Sequence, residues 1–358
     1  MASYFKNTNA VKLTSWVTIN DDSLEQIVFL FVSRKNANGA RYIPLFNETK
    51  NVRIVFFRGL NIRYTDIIVS KIFVTLIKLL RFKINKYKII HFFNLNLSFE
   101  VDHQILHIDD PTYTEHEINS ISHWEKQMNI KSKNTTVICT NLYTQDWLKT
   151  RLRYSKVVVV EQGFHQQVFA THKKSSNFIC AYSSPYIHYG SDKFANHSTY
   201  GSNLLIGRII PELAKLDSQI QVYLIGELGN HAKNFLKDYT NVKLFGRVSF
   251  EENMQILSTS TIGLYPRNID HKRSMLKIFS YIGAGLPIVT FDLVDTRVVK
   301  DNSLGYSVAE VTEFIASIVK LKSSTELLNK FSTNVNSFRV NYTWEILANK
   351  MEKLIGQS

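Results

Sequence analysis

The chain has 358 residues, of which 44% are hydrophobic and 20% charged, and its net charge is +13. This composition is that of a globular protein and does not indicate disorder, and the length favours two domains. The excess of positive charge predicts an anionic partner, which could be a nucleic acid, a membrane surface or a phosphorylated ligand.

In the first half, strand-like segments alternate with helical ones. The residues Asp21-Asp22-Ser23 could cap a helix over 24–34. Short runs rich in β-branched and aromatic residues predict strands at 52–57, 88–93, 104–108, 136–140 and 156–160. Helices are predicted at 115–126 and 144–152.

Basic residues are concentrated between Lys50 and Lys88, a segment with ten Lys or Arg and one acidic residue. This segment includes an apolar run with helical spacing, which contains the basic residues Lys71, Lys78 and Arg81. A basic amphipathic helix is typical of membrane-surface binding, and the alternative is a solvated basic face. Lys78 and Arg81 interrupt the run, so we do not expect it to span a membrane.

The two cysteines, Cys139 and Cys180, lie in apolar runs without metal-ligand spacing, so we expect buried thiols. The first residues lack the apolar core of a signal peptide. Both features predict a cytoplasmic protein.

The second half repeats the alternation. Strands are predicted at 178–182, 222–225, 262–264, 291–299 and 305–308, with residues 183–185 as a loop. Helices are predicted at 200–215, 311–322, 324–335 and 344–354. The expected fold class is α/β, with two Rossmann-like domains whose parallel sheets face a cleft. We place the domains at 1–163 and 164–340, with a terminal helix at 341–358 that crosses back to the first domain.

A candidate anion site follows the predicted strand at 262–264. The residues Ser274, Met275, Leu276 and Lys277 open a helix there, and its free amides and dipole favour a phosphate. Arg273 and Lys277 add positive charge, although Lys277 could equally lie on the helix surface.

Several segments resemble family-4 glycosyltransferases of the GT-B fold (bacterial glycan type). The segment from Lys277 to Pro287 is similar to the family's Lys-x-x-Glu-Tyr-x-x-x-Gly-x-Pro pattern. Residues 137–141, 156–163, 241–248 and 342–345 resemble other family segments in the same order. The resemblance covers residues 88–358.

The resemblance implies a nucleotide-sugar donor, most often a UDP-sugar, in the second domain. It places Gly246 and Arg247 near the base. Ser280 stands where the family has the glutamate that holds the donor ribose, and Lys272 stands where it has an earlier glutamate. A serine hydroxyl can still bond to a ribose. Lys272 or Arg273 could instead pair with an acidic donor such as a uronic acid.

Other polar residues at predicted strand ends are candidates for the reaction. Ser183 could offer its hydroxyl and amide to a phosphate, or form an ordinary turn. The segment containing His107, Asp109 and Asp110 ends a strand of the first domain. The resemblance matches His107 to a histidine that touches the donor sugar, and Asp109 is the candidate base if the enzyme inverts. Alternatively, Asp110 caps a turn and His107 lies in the core.

The sequence therefore predicts a glycosyltransferase that is cytoplasmic and peripheral at the inner face of the cell membrane. Its acceptor would be a glycan or a lipid-linked molecule. We expect no cofactor and no metal, and the resemblance favours retention of configuration. Partners could include an anionic membrane, a partner transferase or a second copy, but not nucleic acid. The alternatives are a catalytically silent partner subunit, a DNA-binding or DNA-modifying protein, and an epimerase.

Overall fold

Two sheets of parallel strands organise the chain, one in each of two units. The computed structural model describes residues 26–32, 52–58, 87–92, 104–108, 135–139, 142–150, 156–161, 163–164, 175–192, 201–269 and 276–357. Unit 1 comprises Met1–Gly163 and Trp344–Ser358, and unit 2 comprises Phe164–Thr343.

The sheet of unit 1 has the strand order β2-β1-β3-β4-β5-β6, and every described pair is parallel. The strands are β1 (Gln26–Val32), β2 (Val52–Arg58), β3 (Tyr87–Phe92), β4 (Gln104–Ile108), β5 (Thr135–Cys139) and β6 (Lys156–Val159), and helix α1 (Leu142–Lys149) precedes β6. The strands predicted from 52 to 160 are confirmed to within one residue at each end.

The prediction of a helix over 24–34 is wrong, because residues Gln26–Val32 form strand β1. This strand lies between β2 and β3 and pairs with both. A continuous apolar run fits a strand enclosed by a sheet as well as it fits a buried helix, so the run carries no decisive period.

The sheet of unit 2 has the order β12-β11-β10-β7-β8-β9, again with parallel pairing. Its strands are β7 (Ile179–Ile187), β8 (Gln221–Leu228), β9 (Val242–Gly246), β10 (Ile262–Tyr265), β11 (Ile288–Phe291) and β12 (Gly305–Val308). The chain adds β8 and β9 on one side of β7 and then returns to add β10, β11 and β12 on the other.

Helices connect these strands. They are α2 (Ser202–Leu204), α3 (Ile210–Leu216), α4 (Asn230–Leu236), α5 (Phe250–Thr259), α6 (Leu276–Gly283), α7 (Arg297–Asp301), α8 (Val311–Ser323) and α9 (Thr325–Arg339). A π-helical turn, Leu205–Ile209, joins α2 to α3, and a 3₁₀ turn, Val294–Thr296, precedes α7. The last helix, α10 (Trp344–Gln357), groups with unit 1.

Successive side chains of each strand point to opposite faces of the unit 2 sheet, and an apolar layer lies on each face. Tyr182 and Leu224 join one cluster, whereas their neighbours Ala181 and Ile225 join the other. Helices α2, α3 and α8 cover the first face, and α5 and α6 cover the second. The central strands β10 and β11 are buried at every position, as is typical of parallel sheets with both faces covered.

Two further predictions in unit 2 are wrong. Residues 183–185 do not form a loop after a strand, because β7 continues to Ile187 through an irregularity in its pairing with β8. Residues 291–299 do not form a strand, because β11 ends at Phe291 and the chain turns into the 3₁₀ turn and α7. The hydroxyl of Thr296 closes that turn by accepting from the Leu293 amide at 3.1 Å.

Candidate functional site

The strand order of unit 2 creates a switch point between β7 and β10. These strands pair at Cys180–Ile262 and Ala181–Gly263. Beyond those pairs, β7 continues alongside β8 and β10 continues alongside β11. In open α/β sheets, ligands bind in the crevice at the carboxyl ends of strands where the order reverses. The candidate site therefore lies just past these pairs, near Ser183 of β7 and Leu264 of β10.

A bulge in β7 shapes one side of this crevice. The register between β7 and β8 shifts between Ser183 and Tyr186. Gly226, on β8, has φ +147°, and a Cβ there would lie 1.7 Å from the carbonyl oxygen of Ser184. Glycine is therefore required at 226, because it lets the backbone at Ser184 approach β8.

Lys277 reaches this bulge from helix α6. Its Nζ donates to Ser184 Oγ at 3.0 Å and lies 5.1 Å from the centroid of the Tyr182 ring. The Ser184 hydroxyl in turn donates to the carbonyl of Tyr186 at 2.9 Å. Burial, followed by the nearby Arg267 guanidinium, lowers the pKa of Lys277 to about 7.

Arg267 supplies the second positive charge of the crevice and follows the carboxyl end of β10. The residue is only 3% exposed. Its Nε donates to the carbonyl of Ile269 at 2.9 Å, and its Nη1 donates to the Tyr265 hydroxyl at 3.2 Å. Arg267 is buried and Lys277 is partly buried, and the electrostatic energy of these two repelling cations falls when an anion binds between or beside them.

Ser183 is held from two directions. Its hydroxyl donates to Oδ1 of Asn253, on α5, at 2.8 Å. Its backbone amide donates to the hydroxyl of Tyr281, on α6, at 3.1 Å. The Ser183 hydroxyl is thus engaged within the protein, while that of the adjacent Ser184 contacts Lys277.

The ends of β8 and β9 carry an exposed ion pair. Arg247 Nη1 lies 3.8 Å from Glu227 Oε2, and the two side chains are 80% and 54% exposed. Gly246 has φ +70° and open space where a Cβ would be. Such an exposed pair adds little stability, so both side chains can turn toward a ligand at small cost.

The structure brings only some of the predicted residues together. Ser183 and Lys277 meet at the switch crevice, through Ser184. Ser280 lies on α6 and is partly buried, Leu276 begins that helix, and Gly246 and Arg247 end β9. His107 is the penultimate residue of β4 in unit 1. The predicted residues outside the described part are Lys71, Lys78, Arg81, Asp109, Asp110, Lys272, Arg273, Ser274 and Met275.

Sequence reasoning missed three residues of the crevice: Arg267, Tyr281 and Asn253. Arg267 follows a buried strand directly after a proline, so a basic residue at a strand's carboxyl end was an available signal. Tyr281 stands at the tyrosine of the Lys-x-x-Glu-Tyr pattern, which was an available signal. Asn253 left no signal, because it lies in a helix where it resembles an ordinary surface residue.

Metal sites and membrane-spanning helices are not found in the part of the chain that the structure describes. No group of three or more His, Cys, Asp or Glu there could hold a metal ion. None of the helices among these residues is long and apolar enough to cross a membrane.

Comparison with known proteins identifies the domain that carries the crevice. Residues 193–324 match the family model described as Glycosyl transferases group 1. This segment includes β8 to β12 and both cations, Arg267 and Lys277. No curated protein matches the chain by sequence.

Solved structures match the whole fold at low sequence identity. Sucrose-phosphate synthase from Thermosynechococcus elongatus has a TM-score of 0.64 at 12% identity, over 93% of this chain and 98% of that chain. An E. coli structure described as trehalose-6-phosphate bound with UDP-2-fluoro glucose has a TM-score of 0.63 at 8% identity, covering 93% and 99%. The N-terminal domain of Candida albicans trehalose-6-phosphate phosphatase has a TM-score of 0.61 at 10% identity, covering 93% and 97%. These likenesses show the GT-B fold, and with the matched domain they support a glycosyltransferase.

Proposed function

We propose that this glycosyltransferase moves a sugar from a nucleotide-diphosphate donor, a UDP-sugar, to a glycan or lipid-linked acceptor at the cytoplasmic face of the membrane. The observation that carries the donor half of the proposal is the pair of cations, Lys277 and Arg267, at the switch crevice of a glycosyl transferase domain. The presence of UDP-2-fluoro glucose in a structure of the same fold supports a UDP-sugar.

In the proposed reaction, the bond between the anomeric carbon and the donor's β-phosphate oxygen breaks. The leaving nucleoside diphosphate keeps the electron pair and gains negative charge. Protonated Lys277 donates to a phosphate oxygen, and Arg267 adds a fixed positive field. Hydrogen-bond donors that are already in place stabilise developing charge without reorganisation, and in many enzymes this stabilisation contributes most of the rate enhancement.

The acceptor oxygen then bonds to the anomeric carbon and loses its proton. If the configuration is retained, the departing phosphate oxygen takes this proton on the same face of the sugar. If the configuration is inverted, Asp109 is the proposed base, and His107 and Asp110 are proposed to act beside it at the end of β4. We propose retention and metal independence, following the resemblance of the sequence to family 4.

The donor sugar is proposed to be acidic, because Lys272 stands where the related enzymes have a glutamate. A lysine cannot accept a hydrogen bond from a sugar hydroxyl, whereas it can pair with a uronate carboxylate. Lys272→Ala should reduce transfer from a UDP-uronate and leave transfer from neutral UDP-hexoses unchanged. An equal loss with both donor classes contradicts this specificity.

The basic segment from Lys50 to Lys88 is proposed to hold the enzyme at an anionic membrane. It has an excess of nine positive charges, and Lys71, Lys78 and Arg81 interleave with its apolar residues. Each basic residue near such a surface contributes about 1 kcal/mol of attraction. The chain should bind vesicles that contain phosphatidylserine, release them at high salt and ignore neutral vesicles. Binding to neutral vesicles alone contradicts this location.

A transfer assay tests the whole proposal. Radiolabelled UDP-sugars are incubated with the full chain and with lipid-linked and soluble glycan acceptors. We expect label in the lipid or glycan fraction and stoichiometric release of UDP. If Lys277→Met forms labelled product as fast as the wild type does, the role assigned to the crevice is contradicted.

A second candidate function is favoured by Ser280. This residue lies on α6 where related enzymes have the glutamate that holds the donor ribose. A chain with weakened ribose binding could act as a catalytically silent partner that stabilises another transferase. The silent-partner function is supported if the chain binds a nucleotide without turnover and raises the activity of a partner transferase.

A further inference from the structure

A phenol links β7 and β10 at the point where their direct pairing ends. The hydroxyl of Tyr281 accepts from the Ser183 amide at 3.1 Å and donates to the Leu264 carbonyl at 3.0 Å. The last direct pair joins Ala181 to Gly263, so Leu264 is the next residue of β10 and Ser183 lies two residues further along β7. One oxygen atom therefore bridges the base of the crevice.

The Tyr281 ring packs against the sheet at Gly263 of β10. The residue is fully buried, and a Cβ at Gly263 would lie 2.5 Å from the ring's Cγ. Gly263 thus allows the ring to rest against β10. Burial raises the pKa of Tyr281 well above its usual value, so the hydroxyl keeps its proton and both of its hydrogen bonds at physiological pH.

Helix α6 contacts β7 at two consecutive residues. Tyr281 binds the backbone of Ser183, and Lys277, one helical turn earlier on the same face, binds the side chain of Ser184. The Ser184 hydroxyl is therefore one of the groups that orient the Lys277 ammonium. Removing the Tyr281 hydroxyl leaves the Ser183 amide and the Leu264 carbonyl without this partner, which frees the segment between them to shift.

We infer that Tyr281 is a positioning residue for donor binding, whose hydroxyl fixes Ser183 and Ser184 so that Lys277 faces the diphosphate. This inference rests on the proposed function. Tyr281 need not touch the donor, because it acts through Ser184 and Lys277. The class of ligand concerned is a nucleoside diphosphate.

Titration calorimetry with UDP on the full chain tests the inference. Tyr281→Phe keeps the ring and removes the bridge, so we expect its dissociation constant to rise about tenfold. Tyr306→Phe is the matched control, because Tyr306 lies in β12, at the opposite edge of the sheet from β9, and packs on Phe331. That variant should bind UDP like the wild type.

The pH profile separates positioning from a general loss of stability. Among the described residues, the groups that face the Lys277 ammonium include Ser184 and the Tyr182 ring of β7, and the nearest like charge is Arg267 after β10. In the wild type, UDP affinity should begin to fall at about pH 7. In Tyr281→Phe this onset should move upward, because a relaxed segment lets water reach Lys277. The inference is overturned if Tyr281→Phe and the wild type bind UDP equally well and lose affinity from the same pH. It is also overturned if Tyr281→Phe binds UDP more weakly but loses affinity from the same pH as the wild type.

Failure of the proposed function can be distinguished from failure of the inference about Tyr281. If the wild type binds none of UDP, GDP, dTDP or ADP, the donor site itself is disproved, and the inference falls with it. If Tyr281→Phe does not fold, hydrogen exchange of the wild type decides the question. Saturating UDP should slow exchange of the Ser183 amide and leave β12 unchanged, and an unchanged Ser183 amide overturns the inference.

Discussion

At the scale of single residues, the protonation of Lys277 governs the candidate site. Its pKa in the folded protein lies near 7, below the ordinary lysine value. The unfolded chain therefore binds more protons than the folded chain between pH 7 and the ordinary pKa. Stability of the unliganded protein contributed by this group should rise with pH across that window.

Nucleotide binding should show the opposite dependence. An anionic diphosphate favours charged Lys277. The phosphate groups of UDP are themselves ionised by about pH 7, so they add little to the pH dependence above that value. The dissociation constant for UDP should thus rise above pH 7, by up to about tenfold per pH unit. Titration calorimetry from pH 6 to 9 measures this slope.

The control for that slope is Lys277→Arg, which stays charged throughout the range. It should bind UDP with little dependence on pH, while Lys277→Met should bind weakly at every pH. A slope that persists in both variants assigns the titration to another group and contradicts the role of Lys277.

Sequence reasoning found Lys277 but not its surroundings. A basic residue at a helix start after a buried strand is a local signal, and the sequence displays it. Ser184, Arg267 and Tyr281 come from β7, the end of β10 and α6, so their meeting depends on the strand order. No local pattern encodes that order. Ser183 illustrates the difference, because its predicted partner was a phosphate and its hydroxyl donates to Asn253.

At the scale of elements, the bulge in β7 depends on glycine at 226. Gly226→Ala places a methyl group against the Ser184 carbonyl and strains the backbone at φ +147°. We expect a loss of about 3 kcal/mol in the free energy of unfolding, or no folded protein. Urea unfolding monitored by circular dichroism measures the loss.

Gly246→Ala is the matched comparison for Gly226→Ala. Its φ of +70° also favours glycine, but open space surrounds the added methyl group. The expected loss is about 1 kcal/mol, from the backbone conformation alone. Equal losses in the two variants show that the contact between β8 and Ser184 is not decisive.

Helix α4 is capped by a residue from a distant segment. Its own N-cap, Gly229, offers no side chain, and the Asp192 carboxylate instead accepts from the amides of His231 at 2.9 Å and Ala232 at 3.0 Å. Burial by itself raises the pKa of Asp192, but these amides, together with that of Tyr189, hold the pKa below its usual value.

Removing this cap should destabilise unit 2 in a pH-dependent way. Asp192→Ala should lower the free energy of unfolding by about 1 kcal/mol at pH 7. Because the folded pKa is depressed, the difference from wild type should persist above the ordinary pKa of Asp and shrink as pH falls through the folded value. Thermal unfolding from pH 7 down to about pH 2, through the ordinary Asp value near 4 and below it, measures this difference. Asp238→Ala, an exposed change beyond the same helix, should have no such effect.

The elements themselves were largely predictable, and the exceptions have physical causes. Short apolar runs and helical periodicity located most described strands and helices of unit 2, including α8 and α9. The strand β1 was mistaken for a helix because a run that is apolar at every position has no period. The segment after Phe291 was mistaken for a strand because the Thr296 turn that ends β11 depends on a single hydroxyl.

At the scale of the whole molecule, the proposal assigns separate tasks to the two units. Unit 2 carries a glycosyl transferase domain with two cations at its switch point. Unit 1 carries the basic segment and, at the end of β4, His107. The proposed enzyme therefore binds its donor through a built crevice and its membrane through distributed charge. These two interactions should respond differently to salt, because surface charges are screened and buried ones much less so.

The most direct measurement is the thermal stability of the full chain with UDP, GDP, dTDP and ADP in low and moderate salt, for the wild type and Lys277→Met. We expect stabilisation of the wild type by one nucleotide, UDP, that survives moderate salt. At one hundred times the dissociation constant this amounts to about 2.7 kcal/mol. The same nucleotide should have little effect on Lys277→Met. No shift with any nucleotide, or an equal shift in both proteins, contradicts the claim that this crevice binds the donor diphosphate.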